Sequence, residues 1–309
     1  MTTSLEGVFL GQLKHVVVEL LADGRDQEAR DLAWRARDRY PRQRALTALW
    51  VAETLCRVGD PDTAVAVLGE ALDEGVWWWG EVLTINPPLA PIQDRADFAE
   101  IVRRSEECRD RTDVVVAPTV HEPDSEPVGV LVPLHARTDR LKSFARRWSS
   151  ARDAGFRVVV PQSGQLTTSD GDVGWVDERL AREQVAGLCS EVAGDLPLVL
   201  AGYSQGARFA LEWSLAGAIA DVAGFVALCP PEDRMPVVTG SSDRLRGYVL
   251  TGEHDDDRPA AERFAADLAR NGVSSVLDVM AATGHSYPAD FAQRLPRALT
   301  FVLPGAANR

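Results

Sequence analysis

Between residues 12 and 110, apolar positions recur three and four residues apart, which predicts amphipathic helices and few strands. Two helix–turn–helix units overlay in this stretch at a shift of 35 residues, pairing Gly24 with Gly59, Ala29 with Ala64, Leu32 with Val67, Ala36 with Ala71 and Tyr40 with Gly75. Small residues in register let helices approach closely, and each glycine falls where a turn must reverse the chain. Near residues 109–113 the rhythm changes. RTDVVVAPTVHEPDSEPVGVLVPLH breaks into short β-branched runs separated by proline and acid. Beyond it, apolar runs at 128–134, 156–161, 196–202, 224–230, 246–252 and 275–280 alternate with helical windows near 140–153, 176–193, 205–217, 259–271 and 289–300. Strands apolar on both faces, alternating with amphipathic helices, imply a mostly parallel sheet covered by helices on both faces. The expected organisation is a smaller all-α, repeat-like part over residues 1–112 and an α/β part over 113–309.

The helical half resembles tetratricopeptide repeats, whose period is about 34 residues. Two such repeats bury a core poorly, so the segment GVWWWGEVLTINPPLAPIQDRADFAEIVRRSEE is expected to add a capping helix pair. Trp77, Trp78 and Trp79 are expected to fill a seam between helices and sheet; the other use of such a cluster is a binding platform.

Charge narrows the class of partner. Of 309 residues, 33 are Lys or Arg and 46 are Asp or Glu, a net charge of −13. The excess divides into −6 over residues 1–112 and −7 over the remainder, so neither half has the basic field a phosphate backbone requires. Nucleic acid is therefore not an expected partner. The N-terminal run is interrupted by Lys14, His15 and Glu19 and reads as an amphipathic helix without a basic leader, and no window approaches a membrane span. The expected setting is cytoplasmic. Cys56, Cys108, Cys189 and Cys229 show no paired spacing and read as reduced packing residues.

The strongest chemical motif is Gly202-Tyr203-Ser204-Gln205-Gly206, placed where the run LPLVLAG ends and a helix begins. A G-x-S-x-G there puts the serine on a sharp strand-to-helix turn with its hydroxyl clear of the sheet. The backbone N–H of Gln205, at the helix start, is aimed to stabilise an oxyanion. Serine needs a base to take its proton. Among five histidines (His15, His121, His135, His254, His285), the base is sought at His285, late in the chain in a loop just after the strand predicted at 275–280. The third member, an acid that orients the imidazole, is sought in TGEHDDD. Asp255 is preferred, with Asp256 in reserve, and a solvated acidic cluster is the plain alternative. A metal site built from His254 and these acids is disfavoured for want of a second histidine ligand. Ser204, Asp255 and His285 each follow the C-terminal end of a predicted strand, which brings them to one edge of a parallel sheet. Leu134, Trp175 and Tyr203 are candidates for a substrate pocket.

Residues 128–300 resemble the phospholipase/carboxylesterase branch of the α/β-hydrolases, which includes the acyl-protein thioesterases. The matching pieces are Pro133-Leu134-His135, Pro161-Gln162, Trp175 ahead of a long helix, GYSQG, GEHD and GHSYP. The resemblance implies cofactor-free cleavage of carboxylic esters or thioesters through an acyl-enzyme. It also implies that His135-Ala136-Arg137 is the oxyanion loop, with the Arg137 N–H as a donor. Alanine at 136 replaces the usual glycine, which would carry strain if that residue needed a positive φ. The expected partners are a small-molecule or acylated substrate and, through the helical repeats, a protein or peptide. Two rival functions use the same residues differently: a peptidase or amidase with the same triad, and a helical-repeat adaptor whose hydrolase part is vestigial.

Overall fold

The computed structural model describes residues 13, 16, 17, 19–21, 23–112, 116–137, 141–231 and 245–305. The N-terminal amphipathic-helix expectation, including His15, falls largely outside them.

The chain divides into two compact units, one of Met1–Val114 with Leu166–Asp172, the other of Val115–Gln165 with Val173–Arg309. This departs from the expected division at 112/113 in one important respect: seven residues from the middle of the α/β half belong to the helical unit.

The helical unit contains α1 (Asp26–Arg39), α2 (Arg44–Arg57), α3 (Pro61–Asp73), a short α4 (Gly80–Thr84), a 3₁₀ turn (Pro87–Ile92) and α5 (Ala96–Asp110). Gly24 and Gly59, which overlay in the sequence, both adopt left-handed backbone, with φ of 70° and 82°. Each is followed by the same reverse hydrogen bond, Arg25 N–H to the Leu20 carbonyl and Asp60 N–H to that of Leu55. These are Schellman-type helix ends, in which glycine avoids a Cβ clash. The small residues that overlay, Ala29, Ala36, Ala64 and Ala71, are all fully buried.

Two of the three tryptophans lie in this unit's own core. Trp77 and Trp78 pack there, and the Trp78 indole donates to the Ala45 carbonyl at 2.9 Å. Their main chain pairs with residues 166–172: Trp78 bridges Thr168, Trp79 N–H donates to the Thr167 carbonyl and Ser169 N–H to that of Trp77. Gln43, at the start of α2, makes no side-chain cap. Instead the two Asp170 carboxylate oxygens accept from the Ala45 and Leu46 N–H groups, each at 3.1 Å. A cap supplied from 125 residues away satisfies donors that a helix start otherwise leaves open.

The α/β unit has a seven-stranded sheet in the order β1-β3-β2-β4-β5-β6-β7. The strands are β1 (Thr119–His121), β2 (Gly129–Leu134), β3 (Phe156–Val160), β4 (Leu198–Tyr203), β5 (Val222–Leu228), β6 (Arg246–Gly252) and β7 (Ser274–Met280). Only β1 is antiparallel, against β3. The helices are α6 (Leu141–Trp148), α7 (Glu178–Ala193), α8 (Gln205–Leu215), α9 (Arg258–Arg270) and α10 (Phe291–Val302). Alternation along β4 explains the layering: Val199 and Ala201 meet Phe144, Trp148, Phe291 and Leu299 from α6 and α10, whereas Leu198 and Leu200 meet Val185 and Phe209 from α7 and α8. The parallel strands all end at one edge, where the crevice of an open α/β sheet forms. No helix among the described residues is long and apolar enough to cross a membrane.

Candidate active site

Ser204 sits between β4 and α8 with φ 52° and ψ −118°, a conformation that costs a non-glycine residue energy. Its surroundings hold it there. Its N–H donates to the Leu228 carbonyl at the end of β5, at 3.0 Å. A Cβ on Gly202 would collide with the Gly206 carbonyl group, and one on Gly206 with the main chain of Leu134 and His135. Both glycines of the motif are therefore required by close backbone approach: Gly202 to the helix it precedes, Gly206 to the end of β2.

His285 lies in the loop after β7. Its Nε2 accepts from the Ser204 hydroxyl at 3.1 Å, and its Nδ1–H donates to Asp255 Oδ1 at 3.1 Å. The loop is bound to the end of β6: Glu253 N–H donates to the Met280 carbonyl, His254 N–H to that of Thr283, and a side chain on Gly252 would strike the Thr283 and Gly284 carbonyls. The Tyr203 hydroxyl donates to the His285 carbonyl at 2.8 Å. The residue beside the serine thus fixes the main chain of the histidine.

Asp255 follows β6, and its side chain is only 1% exposed. Oδ1 accepts a second bond, from the Asp257 N–H at 3.1 Å. Burial pushes this carboxyl up, but the hydrogen bond from His285 and its charge more than offset that and hold it below its ordinary range. Burial likewise pushes His285 down, and the bond to and charge of Asp255, with the charges of Asp257 and Asp256, leave it net raised. The acidic run therefore favours the imidazolium, the form that a base takes on in accepting a proton. Asp256 is exposed, while Asp257 Oδ2 lies 3.5 Å from His285 Nδ1. The nearer second carboxylate is thus Asp257 and not Asp256, which the sequence reading held in reserve.

The other sequence candidates divide. Gln205 opens α8 as expected, and Arg137 lies exposed in the turn after β2. Ala136 is absent from the residues with positive φ, so its replacement of glycine carries no left-handed strain. Tyr203 is half-buried against His285 and Tyr287. Leu134 and Trp175 do not line an open pocket. They are 0% and 1% exposed and pack with Val130, Val132, Phe209 and Trp213 between sheet and helices. A strand buried on both faces sends even its last side chain into the core.

His254 is exposed, and the one group of three candidate metal ligands among the described residues is Cys229, Asp255 and His285, whose donor atoms lie within 4.8 Å of one another. Burial, then the Asp255 charge, pushes the Cys229 thiol far up, so beside the carboxylate it is a protonated neighbour. A metal there would also compete for the atoms that join His285 to Asp255.

No protein-family model and no curated protein matches the chain. Solved structures do resemble it. An uncharacterized protein from Bacillus cereus ATCC 10987 is 22% identical with a TM-score of 0.51, over 96% of this chain and 99% of that one. Acyl-protein thioesterase 2 of Zea mays is 17% identical with a TM-score of 0.51, over 61% of this chain and all of its own. A lipase in an open form is 13% identical with a TM-score of 0.50, over 63% of this chain and 95% of its own. The likeness is one of fold. The α/β unit has the α/β-hydrolase fold, and the Bacillus cereus likeness extends over the helical part as well.

Proposed function

We propose that this protein is a serine hydrolase that cleaves a carboxylic ester or thioester through an acyl-enzyme. The observation that carries the reading is the unbroken chain Ser204–His285–Asp255, two hydrogen bonds of 3.1 Å from three separate strand ends. In this mechanism Ser204 Oγ attacks the substrate carbonyl as His285 Nε2 takes its proton. Asp255, already ionised, holds the Nδ1–H tautomer and stabilises the imidazolium. The carbonyl oxygen becomes an oxyanion facing the Gln205 N–H at the start of α8, with the Arg137 N–H as second donor. Removing one such donor typically costs about 10²–10³ in rate. His285 then protonates the leaving alcohol or thiol, and water, deprotonated by the same imidazole, releases the acid. No cofactor enters these steps.

The helical unit, in this reading, recruits a protein, a peptide or the acylated substrate. It carries a groove of about 990 Å³ whose lining includes Leu20, Leu32, Trp34 and Leu55 with Arg25 and Glu28.

A fluorophosphonate probe together with Ser204→Ala tests the proposal. Wild type should label and turn over p-nitrophenyl esters, and the variant should lose labelling and about 10⁴–10⁶ of turnover while remaining folded. Silence of the wild type would favour an adaptor. Faster cleavage of an amide than of its matched ester would move the reading to a peptidase or amidase.

A further inference from the structure

Three side chains around the segment after β2 are joined in a way that the steps above leave unused. His135 is fully buried, and its ring stacks on Trp175 with centroids 4.5 Å apart and planes 16° from parallel. Burial pushes its imidazole down to about 4, so it is neutral at working pH. A neutral imidazole carries one proton, and its two contacts fix where that proton lies. Nε2 accepts from the Ser163 N–H at 3.2 Å, so Nδ1 holds the hydrogen and donates it to the Ala136 carbonyl at 2.9 Å. The Trp175 indole donates to the preceding carbonyl, that of His135, at 2.9 Å. Trp175 is in turn held by Gln205: the Trp175 N–H donates to Gln205 Oε1, and Gln205 Nε2 donates to the Trp175 carbonyl, each at 3.1 Å.

Two successive peptide groups, 135–136 and 136–137, are therefore each fixed by their carbonyl oxygen. In a planar trans peptide the N–H points opposite to the C=O. No cis peptide bond occurs among the described residues, so anchoring the Ala136 carbonyl aims the Arg137 N–H the other way. The alanine that replaces glycine needs no special φ here, since the direction of its carbonyl is imposed by the imidazole rather than by backbone freedom.

We infer that Trp175, His135 and the side chain of Gln205 are positioning residues that preorganise the oxyanion loop, with Gln205 serving twice, by its backbone N–H and by its amide side chain. The inference rests on the hydrolase reading. Its chemistry is transition-state selective: donors fixed before reaction lower the barrier without tightening ground-state binding. Loosening the loop should lower kcat and leave KM.

The decisive variant is Trp175→Phe, which keeps an aromatic ring against His135 and removes the indole N–H. On a p-nitrophenyl ester its kcat should fall about 10–100-fold, within the range seen for losing one oxyanion donor, with KM changed less than about twofold. A substrate-derived trifluoromethyl ketone, which forms a tetrahedral adduct, should lose affinity by the same factor as kcat/KM, and the acid limb of the pH profile should stay in place. General damage to the fold would instead raise KM or shift that limb. Gln205→Glu, which preserves shape and removes the donor to the Trp175 carbonyl, should repeat the pattern more weakly and carries the test if Trp175→Phe fails to fold. Full kcat in an active, folded variant, or loss confined to KM, overturns the inference alone. Wild type that neither labels with fluorophosphonate nor hydrolyses the ester overturns the hydrolase reading beneath it.

Discussion

Under the proposed hydrolase mechanism, replacing Asp257 by asparagine should raise activity, relative to its own plateau, in mild acid. His285 must be neutral to accept the serine proton, so activity falls as pH drops through the value at which the imidazole charges. Asp257 Oδ2 is 3.5 Å from His285 Nδ1, and the two side chains are 27% and 37% exposed. Because both reach solvent, the aqueous dielectric is the appropriate conservative choice. Two unit charges at 3.5 Å then interact by about 1.2 kcal/mol. That corresponds to roughly eightfold in proton affinity. The charge of Asp257 favours the imidazolium, so its removal weakens proton binding, and the acid limb of kcat/KM should move to lower pH by nearly one pH unit. The plateau should change little, since Asp255 keeps its own bond to Nδ1 and the Asp257 backbone N–H that supports Asp255 remains. The assay is kcat/KM for a p-nitrophenyl ester across the acid limb, fitted to a single ionisation. A limb that stays in place or moves to higher pH would refute the electrostatic reasoning.

Two further substitutions probe the supports of the site and of the helical unit. Tyr203→Phe removes the hydroxyl bonded to the His285 carbonyl and should cost about 0.5–1.5 kcal/mol in chemical denaturation, with a severalfold fall in kcat/KM and retained fluorophosphonate labelling; unchanged stability and rate would show that the loop is held without it. Asp170→Ala uncovers the first turn of α2 and should destabilise the protein by about 1 kcal/mol, read as a lower denaturation midpoint, whereas a midpoint equal to wild type would mean that water replaces the carboxylate without loss.

Most strands were legible because parallel strands buried on both faces read as short β-branched runs, and β2 to β7 lie within two residues of those runs. β1 was not set apart in the sequence. Thr119–His121 is three residues long with Val120 exposed, too short to show alternation. The helix expected near 140–153 ends at Trp148 and continues as a 3₁₀ segment over Ser149–Ala154, closed by Gly155 at φ 81°. Serine, histidine and one acid could be chosen by their position after strands. Choosing among Asp255, Asp256 and Asp257 could not be finished that way, because which carboxylate faces the imidazole depends on how the turn into α9 winds. Leu134 and Trp175 were misplaced for a related reason: position at a strand end gives an address, while burial is decided by the helices laid over it. The amide of Gln205 was read only for its backbone. A signal was present, in that a glutamine next to the serine can bond two main-chain groups at once, but its partner lay 30 residues upstream.

The excursion of residues 166–172 changes what a domain boundary means in this chain. The α/β unit gives up seven residues after Gln165 and takes the chain back at Val173, where the Gly174 N–H donates to the Gln165 carbonyl and closes the neck of the loop. Inside the excursion, Thr167 N–H donates to the Asp172 carbonyl and the Thr168 hydroxyl to the Asp172 carboxylate, so the loop arrives folded. It supplies the main-chain partners of Trp77 and Trp79 and the cap of α2. A cut at residue 113 would therefore remove more than an appendage. It would take away the main chain that Thr167 and Thr168 pair with and uncover side chains that are buried in the intact chain. Only Val173 and Gly174 separate that loop from Trp175, whose indole holds the His135 carbonyl.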